Sequence, residues 1–208
     1  MKKGQQELPL PMWGGARKGA GRKRSASRPQ VPHAPRGKFH NAALHVTLRM
    51  RAEVWNLRTR RCFRALRQSF ERGCQKLGFR VIHFSVQGNH IHLIVEAADA
   101  QVLARAMKGL EVRMARALNK VMHRHGPVFA DRYHAHVLRT PRETAHAIRY
   151  VLENWAVHAR REGWSIPRGV DPYCSAAAHD RGPPMVVEPL WWMLRVGAQR
   201  PHAIRLAA

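Results

Sequence analysis

Two apolar runs, Phe79-Arg80-Val81-Ile82-His83-Phe84-Ser85-Val86 and His90-Ile91-His92-Leu93-Ile94-Val95-Glu96, face each other across the dipeptide Gly88-Asn89. Gly88-Asn89 is a turn dipeptide, so the stretch predicts a β-hairpin. Side chains alternate across a strand, so His90 and His92 share one face while Ile91, Leu93 and Val95 share the other. The apolar set anchors the strand into a core from behind. The two imidazoles, one pleat apart, are spaced to hold a single divalent metal, and the stretch reads as the floor of a chemical site.

Charge narrows what such a site acts on. The 208 residues include 37 Lys and Arg against 13 Asp and Glu, a formal charge of +24. An imbalance of that size speaks about partners rather than fold, and a polyphosphate backbone answers it best. An anionic membrane surface is the rival, but no apolar run is long enough to span a bilayer. Met1-Lys2-Lys3-Gly4 leads into polar residues rather than an apolar leader, so a cytoplasmic protein is expected. Cys62, Cys74 and Cys174 show no CxxC spacing, which speaks for reduced thiols and against a zinc ribbon. With 14 histidines some His-x-His matches arise by chance, so the pair needs support from elsewhere in the chain.

The chain divides into residues 1–38, a flexible basic arm rich in Gly, Pro, Arg and Lys; residues 39–163, a folded domain; and residues 164–208, a loosely patterned tail. Alternation over 43–49 predicts a first strand, and apolar recurrence over about 57–77 a helix, with Leu77 in its stripe and Gly78 as a left-handed cap. The hairpin follows. A second helix is predicted over 100–123, its Leu and Met stripe filling a core, and Gly126-Pro127 ends it. Residues 128–138 read as a fourth strand. The order β-α-β-β-α-β is that of a ferredoxin-like α+β fold, which sets the third strand, with His90 and His92, in the middle of the sheet. Thr140-Pro141-Arg142-Glu143 then predicts an additional helix by N-cap, first-turn proline and capping box, running to about Arg161. Tyr150 and Asn154 lie four residues apart on one face of it. In the tail, Trp191-Trp192 reads as a buried anchor.

A second pair, His134-Ala135-His136, competes with His90 and His92 but has only alanine as its core anchor. Tyr133 and Tyr173 are the other two tyrosines; Tyr150 stands out through Asn154 on its helical face, together with the His pair and the charge. Glu153 reads as a solvated carboxylate. A metal beside a phenol suits phosphodiester transesterification: the cation polarises a phosphate and the tyrosine oxygen attacks phosphorus. Imidazole and amide donors suit Mg²⁺ or Mn²⁺, with zinc also open.

Gln87-Gly88-Asn89-His90-Ile91-His92-Leu93-Ile94-Val95-Glu96, then Val128-Phe129-Ala130-Asp131-Arg132-Tyr133-His134, then Arg149-Tyr150-Val151-Leu152-Glu153-Asn154, resemble in this order the REP-associated tyrosine transposases, single-tyrosine HUH enzymes of the IS200-like class. The arm segment Gly14-Gly15-Ala16-Arg17-Lys18-Gly19-Ala20-Gly21-Arg22 is similar to the N-terminus of many bacterial members. The resemblance covers roughly residues 13–160; residues 174–190 match no part of the pattern. It implies a ferredoxin-like core, cleavage of single-stranded DNA at palindromic hairpin repeats, and a 5′-phosphotyrosine intermediate. By position it implies His90, His92 and Asn154 as ligands of Mg²⁺ or Mn²⁺, Tyr150 as nucleophile, and a bacterial, nucleoid-associated protein acting as monomer or homodimer. Arg17, Lys18, Arg22, Lys23 and Arg24 of the arm, with Arg132, are the expected DNA contacts. A domesticated hairpin binder that does not cut, and an HUH relaxase or replication initiator, are the alternatives.

Overall fold

The computed structural model describes residues 37–161, 163, 169–177 and 183–200. Within them the chain forms β1 (Ala42–Arg49), α1 (Arg60–Glu71), β2 (Gln75–Lys76), β3 (Phe79–Val86), β4 (His90–Ala97), α2 (Ala100–Val121), β5 (His134–Leu138), α3 (Pro141–Arg161), α4 (Trp192–Arg195) and a 3-10 turn at Gly197–Gln199. The strands make one sheet in the order β2-β3-β4-β1-β5, every pairing antiparallel. Apart from the short β2, this is the ferredoxin-like arrangement the sequence predicts, with β4 flanked by β1 and β3.

The pleat sorts the side chains into two cores. Leu44, Val46 and Leu48 of β1, Val81, Phe84 and Val86 of β3, and Ile91, Leu93 and Val95 of β4 face α1 and α2. The helices answer with Cys62, Leu66 and Phe70, and with Leu103, Met107, Leu110, Met114 and Leu118, each set spaced by three or four as one helical face requires. Phe70 stacks on Phe84 with centroids 4.5 Å apart. On the other side of the sheet a smaller core joins Ala43, Ile82, Ile94 and Leu138 to Val151 of α3 and Leu194 of α4. A bulge in β3, where pairing steps from Val81↔Val95 to His83↔Ile94, sends Ile82 to the small core and returns Phe84 to the large one.

Three details differ from the sequence reading. Helix α1 is shorter than 57–77: Thr59 caps it by accepting from the Cys62 amide, and the chain turns at Gly73 to form β2. The edge of β3 there takes main-chain partners from residues 74–76, such as the Val81 amide to the Cys74 carbonyl at 2.7 Å, and that competes with another helical turn. Gly78, at φ +73°, serves the β2–β3 turn rather than a helix end, and Leu77 at its tip is fully exposed. The fourth predicted strand is cut to His134–Leu138, with Phe129 making only an isolated bridge to Met50. Val128 and Tyr133 both belong to the large core, yet five residues apart on an unbroken strand they would point to opposite faces; the break lets both turn inward. Finally, Trp192 is 49% exposed, with the Arg200 guanidinium 5.0 Å over its ring, so the tryptophan pair is not a buried anchor.

The capping box at α3 forms with a shift. The Glu143 amide donates to Thr140 Oγ1 at 3.2 Å, but the Glu143 carboxylate takes the amide of Arg139 at 2.7 Å. Residues 183–200 pack against α3 and the sheet, held by Glu96: its buried carboxylate accepts the amides of Leu190 and Trp191, each at 2.9 Å. The basic arm, with Arg17, Lys18, Arg22, Lys23 and Arg24, lies outside the described residues.

Replacing Glu96 with alanine leaves those two amides without their acceptor. A stability loss of about 2 kcal/mol is expected from urea denaturation, with faster proteolysis inside 183–200. An unchanged midpoint and digestion pattern would mean that the tail docks without this carboxylate.

Candidate active site

His90, His92, Ile94 and Glu96 occupy the β4 face that α3 crosses. A cleft of about 380 Å³ opens there, lined by Thr47, Arg49, Asn89, His90, His92, Tyr150, Asn154, Val157 and His158. The His90 and His92 rings lie nearly perpendicular with centroids 4.7 Å apart. From α3, the Tyr150 ring meets His92 edge-on at 5.3 Å. Helical periodicity explains the arrangement: Val151 plugs the small core, so its neighbour Tyr150 stands at the cleft, 47% exposed, and Asn154 follows one turn later, almost fully buried.

Two polar atoms in this cleft are orphans. His92 Nε2 and Asn154 Nδ2 are buried and have no hydrogen-bond partner, a condition that costs free energy unless a ligand answers it. The other ring nitrogen of His92 is occupied: Nδ1 lies 3.1 Å from His45 Nε2 and 3.2 Å from Thr47 Oγ1. With its proton on Nδ1, His92 presents Nε2 as a bare lone pair. A metal-binding imidazole needs that tautomer, fixed through the nitrogen the metal does not use. His90 is steadied by Asn89, whose Oδ1 lies 2.8 Å from Nδ1. Among the described residues no group of three or more His, Cys, Asp and Glu side chains is placed to hold a metal. Two imidazoles and the Asn154 amide, whose oxygen and nitrogen exchange by a flip, form a donor set that fits a divalent cation.

Burial keeps these rings uncharged. The His92 pKa is pushed down to about 3, first by desolvation and then by His90, His45 and His158. His90 falls to about 4 through desolvation, His158 and Arg49, and His45 to about 4 through desolvation, His134 and His136. Neutral rings at neutral pH are ready to donate lone pairs without first losing a proton.

The cleft therefore gathers His90, His92, Tyr150 and Asn154. Arg132 is exposed on the loop before β5 and does not line it. The competing pair sits elsewhere: His134 and His136 are exposed on the edge strand, and His136 Nε2 lies 2.6 Å from the Glu143 carboxylate. Tyr133 is in the large core, and Glu153 is exposed on the opposite flank of α3. Three participants escaped the sequence reading. His45 and Thr47 are legible as the polar half of the β1 alternation, and their register against β4 puts them beside His92. His158 lies one turn beyond Asn154, its ring 5.4 Å from His90.

The family described as IS200-like transposases matches residues 38–154, from β1 to Asn154. This chain belongs to that family. The fold is similar to that of a solved REP-associated tyrosine transposase bound to a REP hairpin, which is 15% identical, covering 77% of this chain and all of its own, with a TM-score of 0.53. A proposed transposase from Deinococcus radiodurans is 13% identical, covering 65% of this chain and 99% of its own, with a TM-score of 0.41. No curated protein matches the sequence. Among the described residues of this family member, no helix is long and apolar enough to cross a membrane.

The buried rings give this IS200-like protein an acid-sensitive fold. In the unfolded chain these histidines take up protons near pH 6.5, while the folded protein withholds them until about pH 4 for His45 and His90. Across that window the unfolded state binds more protons, so stability falls as the pH is lowered. Exchanging His45 for glutamine is expected to flatten the fall, measured by urea denaturation in metal-free buffer. Superimposable pH profiles for both proteins would remove the buried rings as its cause.

Proposed function

We propose that this chain cuts and rejoins single-stranded DNA at hairpin repeats, with Tyr150 as nucleophile and a divalent cation, Mg²⁺ or Mn²⁺, held by His90, His92 and Asn154. One observation carries the reading: the Tyr150 ring stands 5.3 Å from that of His92, whose Nε2 is buried without a partner. A half-exposed phenol beside an orphaned imidazole lone pair has little structural purpose, and both fit phosphoryl transfer. The REP hairpin carried by the similar solved transposase supports the choice of substrate. Residues 1–38 are read as a flexible basic DNA-binding arm, 39–163 as the catalytic domain, and 164–208 as a tail, loosely structured or packed back on the core.

The division of labour follows from the site. Arg49 at the cleft brings a fixed positive charge to a DNA phosphate. His45 and Thr47 hold the His92 tautomer, and Asn89 orients His90. A bound cation would draw charge from the non-bridging oxygens of the scissile phosphate. The Tyr150 oxygen then displaces the 3′-oxygen at phosphorus. The phenolic proton is lost to solvent, and the departing 3′-oxygen gains one, leaving a 5′-phosphotyrosine. One phosphodiester bond is exchanged for another, so a returning 3′-hydroxyl reverses the step without an external energy source. His90, His92, Tyr150 and Asn154 of one chain line the same cleft, which supports the use of Tyr150 in cis.

Tyr150→Phe is expected to abolish a covalent protein–DNA adduct on denaturing gels while hairpin binding stays within about twofold, since the phenol acts in the step rather than in binding. If wild-type protein forms no adduct with single-stranded hairpins in Mg²⁺ or Mn²⁺, the chain binds such DNA without cutting it. Removing residues 1–38 should weaken binding and reduce its salt dependence, each lost phosphate contact lowering the slope of log K against log salt by about 0.7–0.9. An unchanged slope would exclude Arg17, Lys18, Arg22, Lys23 and Arg24 from DNA contact.

A further inference from the structure

On the opposite side of the β3–β4 turn from the catalytic cleft, a groove of about 470 Å³ is lined by Arg60, Phe63, Arg64, Arg67, Pro172 and Tyr173. Its composition is unusual even for so basic a chain. The first turn of α1 holds no acidic residue. Arg60 and Arg64, one turn apart and both exposed, have no carboxylate partner among the described residues, whereas Arg67 is paired with Glu71 at 2.8 Å. Between the cations stand two half-buried rings, Phe63 and Tyr173, packed edge to face with centroids 5.0 Å apart.

These rings are held rather than loose. Asp171, fully buried, takes both arms of the Arg58 guanidinium at 2.8 Å each and the Tyr173 amide at 3.1 Å. Arg58 in turn lies 4.5 Å over the Tyr173 ring and donates to the Val86 carbonyl. The Tyr173 carbonyl accepts the Val86 amide, so residues 173–175 extend the sheet beyond β3. A bidentate ion pair on a fully buried carboxylate, spent on fixing one tyrosine at the surface, is costly unless the position of that ring matters.

The geometry points to this groove as a second binding site, for unpaired nucleotides of single-stranded DNA that continue outside the catalytic cleft: Arg60 and Arg64 hold phosphates, and Phe63 and Tyr173 form an apolar wall for bases. Free cations alternating with aromatic surface are what a strand of negative phosphates and flat bases needs. The two sites are linked through the β3–β4 turn. Asn89 lines the cleft, the neighbouring Gly88 carbonyl accepts the Leu57 amide, and Val86 bonds both Arg58 and Tyr173. The turn thus joins the residues that line one site to those that fix the other. The inference rests on the reading of the chain as a single-stranded DNA transposase, but it concerns the part of the strand that is not cut.

The test compares a hairpin bearing single-stranded tails on both ends with the same hairpin trimmed flush, using Arg60→Glu/Arg64→Glu in the full chain. The tailed hairpin should bind at least about tenfold more weakly and with a salt slope lower by about 1.4, two single-strand phosphates at ~0.7 each, while the flush hairpin changes by less than about twofold. In wild-type protein, tails carrying 5-iododeoxyuridine should photo-crosslink to Tyr173 or Phe63, a readout that needs no variant to fold. Equal losses on both DNAs, or an adduct at Tyr150 with no crosslink in the groove, overturn the second site. A crosslink in the groove without any Tyr150 adduct upholds it and overturns the cutting activity instead.

Discussion

The pleat of β4 is the constraint from which the rest of the molecule follows. Ile91, Leu93 and Val95 are completely buried beneath α1 and α2, and a slip of one residue would drive His90, His92 and Glu96 into that core. Desolvating two imidazoles and a carboxylate there, with no partners, would cost far more than burying three aliphatic side chains returns. The register is therefore fixed by the apolar face, and the position of the histidines comes with it. Both neighbours of β4 repeat the argument: His92 pairs with Thr47 on β1 and Ser85 on β3, so each strand brings polar residues to the same face.

Helix α3 has to cover that face without sealing it. Its attachment is a small core built on Val151, Ile94 and Ile82, far less extensive than the one beneath α1 and α2. The tail supplements it, with Leu194 in the same small core and Glu96 binding the tail's main chain. Glu96 is thus the counterpart of His90 and His92 on one strand face: at one end polar residues remain free for a ligand, and at the other a polar residue is consumed in fastening the cover. Position along β4 decides which. The tail reaches Glu96, and it leaves the cleft at His90 open.

Much of this was legible from residue order because the signals were local. The Gly88-Asn89 turn, the alternation after it, and the Thr140-Pro141-Glu143 start of α3 each depend on neighbours a few residues away, and each formed. So did the coincidence of Tyr150 and Asn154, which needs only the helical repeat. What the sequence hid was decided at long range. His45 supports His92 only because β1 pairs with β4 in one register. Helix α1 stops early because the edge of β3 finds its partners in residues 74–76, and the strand after Gly126 breaks because Val128 and Tyr133 share one core. Asp171 and Arg58, 113 residues apart, carry no local mark at all.

Electrostatics bears on what the cleft can hold. None of its lining residues is acidic, and Arg49 adds a positive charge beside donors that are themselves neutral. The same surroundings that repel a proton from His90 and His92 also repel a divalent cation, and imidazole and amide lone pairs alone compensate poorly for its lost hydration. On the proposed function, a DNA phosphate would supply the missing negative charge. Cation and strand would then each raise the affinity of the other by the same factor, because coupling between two ligands is reciprocal. On the proposed function, a site built in this way would hold a metal firmly only with DNA present, because its donors are neutral rather than carboxylate and the protein carries a charge of +24.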